Sequence, residues 1–170
     1  MIYVNMYTDG SAKGNPDGPG GYGVILKFYN AEDRKNVMRV KELTKGFQTT
    51  TNNRMEMMAF IAGLEDLTEP CDIILTSDSQ YLINSMTKGW IENWVKNNWV
   101  NSSKQPVKNR DLWERILYLI KPHHIQYVWV RGHHGHPENE RCDYLATSSA
   151  DGKIFTQNLD GTLSMSDEKS

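Results

Sequence analysis

The stretch TNNRMEMMAFIAGLEDLTEPCDIILTSDSQYLINSM, residues 51–86, sets the fold class. Thr51-Asn52-Asn53 offers short polar side chains that accept hydrogen bonds from the free N–H groups of a helix's first turn. Met55, Met58, Ala59 and Ala62 follow at i, i+3, i+4 and i+7, the spacing of one helical face. Asp72 to Thr76 is a short apolar strand running into Ser77-Asp78-Ser79, and Tyr81 to Met86 opens a second helix. A strand between two helices points to an α/β arrangement.

Upstream, Ile2 to Tyr7 is β-rich and ends at Thr8-Asp9. Residues 10–23 hold six glycines and two prolines and are expected to form a turn-rich connection. Tyr22 to Tyr29 and Val37 to Phe47 read as two more strands, joined by a charged hairpin around Asn30-Ala31-Glu32-Asp33. Downstream, residues 89–100 carry Trp90, Trp94 and Trp99 in a polar setting, and Asp111 to Ile120 is an amphipathic helix stopped by Pro122. Ile125 to Val130 is a last strand, followed by a Gly/His/Pro loop and a helix from Glu138 to Ala150. The expected fold is therefore a mixed five-stranded sheet, three antiparallel strands and then parallel ones, flanked by helices. Residues 1–150 form one domain, and the acidic tail 151–170, without apolar periodicity, is expected to be disordered.

With 38% hydrophobic and 24% charged residues the chain has the composition of a globular protein. No run approaches the ~20 apolar residues that span a membrane, and no basic-then-apolar leader opens the chain, so a cytoplasmic home is expected. Cys71 and Cys142 lie far apart and read as small buried residues. The net charge of −2 conceals a segment, 86–121, with seven Lys or Arg against three acids. A local basic surface of that kind suits nucleic acid even when the whole chain is acidic.

Four acids fall at element ends. Asp9 and Asp78 close strands, Glu56 lies near the partly positive start of its helix, and Asp143 sits on the last helix. Ligand sites in α/β sheets gather at such ends. If the strands of Asp9 and Asp78 are neighbours, the four converge. Clustered carboxylates repel one another unless a cation compensates, and hard oxygen donors favour magnesium or manganese over zinc. Taken singly, each acid also reads as a solvated charge, Asp9 as a turn former and Asp78 as a helix cap.

Longer motifs narrow the choice. They are Tyr-Thr-Asp-Gly-Ser (7–11), Gly-Asn-Pro (14–16), Gly-Pro-Gly-Gly-Tyr-Gly (18–23), Thr-Thr-Asn-Asn-Arg-Met-Glu (50–56), Ser-Asp-Ser-Gln-Tyr (77–81), Pro-Val-Lys-Asn (106–109) and Gly-His-His-Gly-His-Pro-Glu-Asn-Glu-Arg-Cys-Asp (132–143). In this order they resemble the type 1 ribonuclease H family, bacterial kind, across residues 3–147. The resemblance implies an RNase H-like fold and an endonuclease cutting the RNA strand of RNA–DNA hybrids, leaving 3′-hydroxyl and 5′-phosphate ends by a two-metal mechanism.

It further implies that Asp9, Glu56, Asp78 and Asp143 hold one or two Mg2+ ions, with Mn2+ as an alternative, and that His133 moves protons or assists product release. His134 and His136 are expected to be structural or solvent-facing. Asn15, Asn53 and Gln80, with Glu56, would bind 2′-hydroxyls, the groups that distinguish RNA. Thr51 and Asn109, with Asn52 nearby, would hold a DNA phosphate, and Trp90, Trp94 and Trp99 would face the DNA strand. The expected partner is the hybrid itself, bound by a monomer away from any membrane.

The chain departs from the family in four places. Val95-Lys96-Asn97-Asn98 is far less basic than the handle of many bacterial relatives, Thr49 stands where they often have Arg, and the 30–45 hairpin and acidic tail are additions. Three other readings stay open here: a same-fold DNA nuclease or resolvase, an inactive hybrid-binding module, and a small magnesium-dependent phosphatase.

Overall fold

The computed structural model describes residues 1–14, 17–132 and 135–166. Strands β1 (Ile2–Ala12), β2 (Gly18–Tyr29) and β3 (Val37–Thr50) form an antiparallel meander. Helix α1 (Asn52–Glu65) leads to β4 (Cys71–Ser77), then α2 (Gln80–Thr87), α3 (Trp90–Lys96) and α4 (Arg110–Leu119) precede β5 (His124–Trp129). Helix α5 (Pro137–Ala150) follows, and β6 (Ile154–Gln157) with β7 (Leu163–Ser166) closes the described chain. The main sheet runs β3-β2-β1-β4-β5, with β4 parallel to both β1 and β5. This is the mixed sheet the sequence led us to expect.

Alternation along β1 and β2 divides the helices between two faces. Val4 and Met6, with cross-strand partners Phe28 and Leu26, point toward α1 and α4, and there the main core gathers around Phe60, Leu75 and Trp113. The opposite face, which includes Gly21 and Gly23, is covered by α5.

Two expectations are corrected. Residues 10–23 are mostly strand rather than a connection, since β1 continues to Ala12 and β2 begins at Gly18. Two of the glycines, Gly21 and Gly23, are there because α5 lies directly on them. A Cβ on Gly21 would sit 2.6 Å from the Ala146 carbonyl oxygen and 2.8 Å from the Ala150 nitrogen, both unyielding backbone. Gly21→Ala is expected to lower stability by about 2 kcal/mol or more, the range of core overpacking, with urea denaturation as the measure.

The second correction concerns the tail. Residues 154–157 and 163–166 pair antiparallel instead of lying disordered, and the hairpin docks on β3, an outer strand of the main sheet. Its sequence lacks an apolar stripe because hydrogen bonds hold it. The Glu42 N–H donates to the Gly161 carbonyl at 2.9 Å, and Glu42 Oε1 accepts from the Leu163 N–H at 2.6 Å. Cys71 and Cys142 are both free and buried, as expected. Among the described residues no helix is long and apolar enough to cross a membrane.

Candidate active site

Parallel pairing of β1 with β4 aligns Tyr7 with Thr76 and Thr8 with Ser77, so Asp9 and Asp78 emerge side by side where that pairing stops. β4 ends at Ser77, but β1 runs on to Ala12, so Asp9 lies within its strand and does not close it as expected. Glu56 joins them from the second turn of α1. Thr51 caps that helix, its hydroxyl oxygen accepting from the Arg54 N–H at 3.2 Å. One carboxylate oxygen from each of Asp9, Glu56 and Asp78 lies within 4.8 Å of the others, a spacing that suits a metal ion. Asp9 and Glu56 are buried and Asp78 is half-buried. Asp143 is also half-buried and faces the group from α5. It stands outside the close trio, yet near enough for its charge to act on Asp9.

Burial, then the charges of Asp78 and Asp143, push the Asp9 pKa up to about 8, against hydrogen bonds from Glu56 and the Gly10 N–H. Glu56 is raised well above the carboxylate range by burial and by the neighbouring Asp9 and Asp78. Its Oε2 is buried without a hydrogen-bond partner. An orphaned carboxylate oxygen between two other acids is the donor set expected of a hard divalent cation, which would supply both the counter-charge and the missing partner. The residues fit the metal.

The three comparisons agree with this geometry. The family model described as RNase H matches residues 2–151. The chain belongs to the RNase H family. The chain is 52% identical over 149 residues to a ribonuclease H from Lachnoclostridium phytofermentans, covering 88% of this chain and 92% of the relative. A ribonuclease H from Aeromonas hydrophila is 51% identical over 154 residues, 91% and 94% of the two chains. Among solved structures, a type 1 RNase H with the type 2 active-site motif superposes with a TM-score of 0.77 at 29% identity, covering 96% of this chain and 77% of that one. Another RNase H, solved in complex with RNA/DNA hybrid, shares the fold at a TM-score of 0.59 and 22% identity, covering 88% and 97%. As a ribonuclease H the chain is an endonuclease acting on RNA–DNA hybrids.

The other expected residues are placed unevenly. Asn15, His133 and His134 lie outside the described residues. Asn53 and Gln80 are exposed at the starts of α1 and α2. Asn52 is exposed too, but its Oδ1 accepts from the Ala12 N–H at 2.7 Å, so that atom ties β1 to α1. Thr51 and Asn109 are linked through Arg54, whose Nη1 donates to Asn109 Oδ1 at 3.3 Å. Asp111 holds Arg54 by two bonds, of 3.0 and 2.8 Å. Asn109 Nδ2 also donates to the Tyr81 hydroxyl at 3.3 Å. His136 caps α5, Nδ1 accepting from the Asn139 N–H at 3.4 Å.

The tryptophans separate. Trp90 is 38% exposed, Trp94 is half-buried against Trp113, and Trp99 is only 8% exposed. Helix α3 ends at Lys96, so Trp99 lies beyond it, with Arg110 over its ring at 5.4 Å. Buried this way, Trp99 supports the segment rather than offering a stacking face, which corrects the expectation for it.

Arg54, Tyr81, Trp129 and Gly132 were not singled out from the sequence. Trp129 Nε1 donates to the Asp78 carbonyl at 3.0 Å, and Gly132 lies against the Asp78 carboxylate. Arg54, Tyr81 and Gly132 lie inside the motifs quoted above, whereas Trp129 lies in none.

Proposed function

We propose that Asp9, Glu56, Asp78 and Asp143 hold magnesium where the pairing of β1 with β4 stops, and that the RNA strand of a bound hybrid is cut there to 3′-hydroxyl and 5′-phosphate ends. The observation that carries this is the trio of carboxylates within 4.8 Å with Glu56 Oε2 buried and unpaired. Magnesium bound in a two-metal arrangement supplies an activated water and counter-charge for the leaving oxygen. The protein's own part is positioning. β1 holds Asp9 and the end of β4 holds Asp78, and α1 brings Glu56 into a dry setting where its charge acts strongly on a cation.

Recognition of RNA is assigned to Asn53, Gln80 and Asn15, whose amides both donate and accept toward 2′-hydroxyls. The Thr51 hydroxyl, whose oxygen accepts from Arg54, keeps its proton for a DNA phosphate beside Asn109 and Asn52. Trp90 and Trp94 offer the sugar-facing surface, and His133 the proton-transfer group. We read the chain as a monomer working in the cytoplasm.

The test is hydrolysis of a labelled hybrid beside the matching DNA duplex, with magnesium or with a chelator. Cleavage of the RNA strand alone, lost on chelation, is expected. Equal cleavage of duplex DNA favours the resolvase reading instead.

The groove beside α3 refines the affinity. It has a volume of about 930 Å³ and is lined by Trp90, Asn93, Trp94, Lys96 and Asn97, amides where a cationic handle would place charges. Lys and Arg contacts to phosphate dominate hybrid affinity and its salt dependence. Weak binding at physiological salt is therefore expected. Asn93→Lys with Asn97→Lys should steepen the log–log salt slope by about 2 and tighten binding at low salt. A filter-binding titration across salt concentrations checks it, and an unchanged slope would remove the groove from the hybrid's path.

A further inference from the structure

The start of α5 is gripped by the C-terminal hairpin. Arg141 Nε donates to Glu42 Oε2 at 2.6 Å and Nη2 to Glu42 Oε1 at 3.0 Å, while the same Nη2 donates to the Leu163 carbonyl at 2.6 Å. Glu42 is 4% exposed and also binds the Leu163 N–H, so a buried carboxylate is shared between helix and hairpin. Tyr144 adds a second grip, its hydroxyl donating to Met165 Sδ at 3.0 Å. Asp143 lies between these two anchored residues. The hairpin doing the gripping falls beyond residues 2–151, the part matched to the family.

We propose that this hairpin is a clasp that sets the rotation of α5 about its own axis, with Arg141 the positioning residue for Asp143. The inference rests on the reading of Asp143 as a metal ligand. Successive helical residues advance by about 100°, so Arg141 and Asp143 project to nearly opposite sides of α5 and a small rotation moves them in opposite senses. Gly21, Gly23 and Gly46 present bare backbone to α5, so its rotation is set by side-chain bonds. Thr44 Oγ1 donates to the Leu145 carbonyl at 3.1 Å, Lys27 pairs with Glu138 at 2.7 Å, and Arg141 is held by Glu42 and the hairpin. The other three acids are set by β1, by the end of β4 and by α1, none of which belongs to the hairpin. Asp143, outside the close trio, is the ligand whose place the clasp decides.

Gly161 allows a test in the full chain without touching α5 or the carboxylates. Its φ is +89°, and an added Cβ would lie 2.5 Å from the Val40 carbonyl oxygen, so Gly161→Ala should lift the hairpin from β3. Leu163→Pro removes the N–H that Glu42 accepts and serves as the second variant. Magnesium affinity is measured by calorimetry, with hydrogen exchange of the α5 amides alongside, in chains with Asp143 and with Asp143→Asn. Both hairpin variants are expected to weaken magnesium binding by about tenfold, the scale of losing an outer-shell support. Neither should weaken it further once Asp143 is Asn. Arg141→Lys, which keeps the charge but loses the paired bonds, should fall between.

Unchanged magnesium affinity in both hairpin variants, with Asp143→Asn weakened, overturns the clasp and leaves Asp143 a ligand. Losses that simply add to that of Asp143→Asn also overturn it, because the hairpin then acts elsewhere. An Asp143→Asn chain that binds magnesium normally removes the ligand reading, and the clasp with it.

Discussion

Asp9→Asn is expected to reduce hydrolysis of an RNA–DNA hybrid by at least about 10³-fold, the scale of losing several kcal/mol of metal-borne stabilisation. The same variant should melt at a higher temperature than the parent when a chelator is present. Asparagine matches aspartate in shape and still accepts the Gly10 N–H, which meets Asp9 Oδ1 at 2.9 Å. What it lacks is the negative charge. With metal bound, that charge is needed. Without metal it is buried 4% exposed beside Asp78 and Glu56, and this is why the Asp9 pKa rises to about 8. Removing it should stabilise the metal-free chain by ~2 kcal/mol at pH 9, well under the full value of so large a shift, since neighbouring acids titrate together. A variant that keeps a tenth of the activity, or melts lower than the parent in chelator at pH 9, would contradict this account.

The sign of the pH dependence follows from the direction of the shift. A carboxyl whose folded pKa is raised contributes stability that is complete below its ordinary pKa and is lost as pH rises through the folded value. For Asp9 that window runs from about 4 to about 8. Glu56, raised by the same causes, acts in the same direction. The stability difference between Asp9→Asn and the parent, both in chelator, should therefore widen steadily from pH 5 to pH 9. Thermal melts at four or five pH values, repeated with magnesium, measure it. Saturating magnesium should reverse the order at alkaline pH, because only the parent's carboxylate gains from the ion.

The sequence carried the site further than it carried the frame around it. Asp9, Glu56 and Asp78 could be named because each falls at the end of a periodic segment and inside a long motif. Their convergence depended on one condition, that β1 and β4 be neighbours, and the parallel register from Ile2–Cys71 to Thr8–Ser77 meets it. What misled was composition read as conformation. Glycines at 18–23 signal a turn by propensity, yet in β2 Gly21 and Gly23 make room for α5, a neighbour more than a hundred residues away in the chain. The tail looked unfolded because it has no apolar stripe of its own. Its partner, the buried Glu42 with half-exposed Arg141, is assembled only by the tertiary fold. Trp99 was placed on a surface by its polar neighbours, whereas a left-handed backbone at Asn98 and Trp99 turns its ring inward. In each case the deciding contact was long-range, and local pattern had no access to it.

Gly132→Ala is expected to lower kcat by about 10²-fold while leaving KM for the hybrid and the melting temperature close to the parent's. An added Cβ would stand 2.8 Å from Asp78 Oδ2, so either the methyl or the carboxylate must give way. The main chain of Asp78 has little freedom to retreat. Its carbonyl accepts from Trp129 Nε1 at 3.0 Å, and the Ser79 N–H next to it donates to Ser77 Oγ at 3.0 Å. The side chain therefore turns, and a displacement of about 1 Å at the oxygen we propose binds metal is enough for a loss of this size. Binding is spared because the residues we propose for the hybrid, Asn53, Gln80 and those of the groove beside α3, lie on other elements, α1, α2 and α3. Stability is nearly spared because the site is only half-buried at a sheet end, where such a change costs within about 0.5 kcal/mol. Steady-state kinetics with a hybrid substrate, alongside a thermal melt, separate the two quantities. A kcat equal to the parent's would mean that Asp78 can shift without consequence, and its place among the metal-binding acids would have to be given up. A rise in KM with a fall in Tm would instead assign Gly132 to the fold, and the bare backbone opposite Asp78 would owe nothing to catalysis.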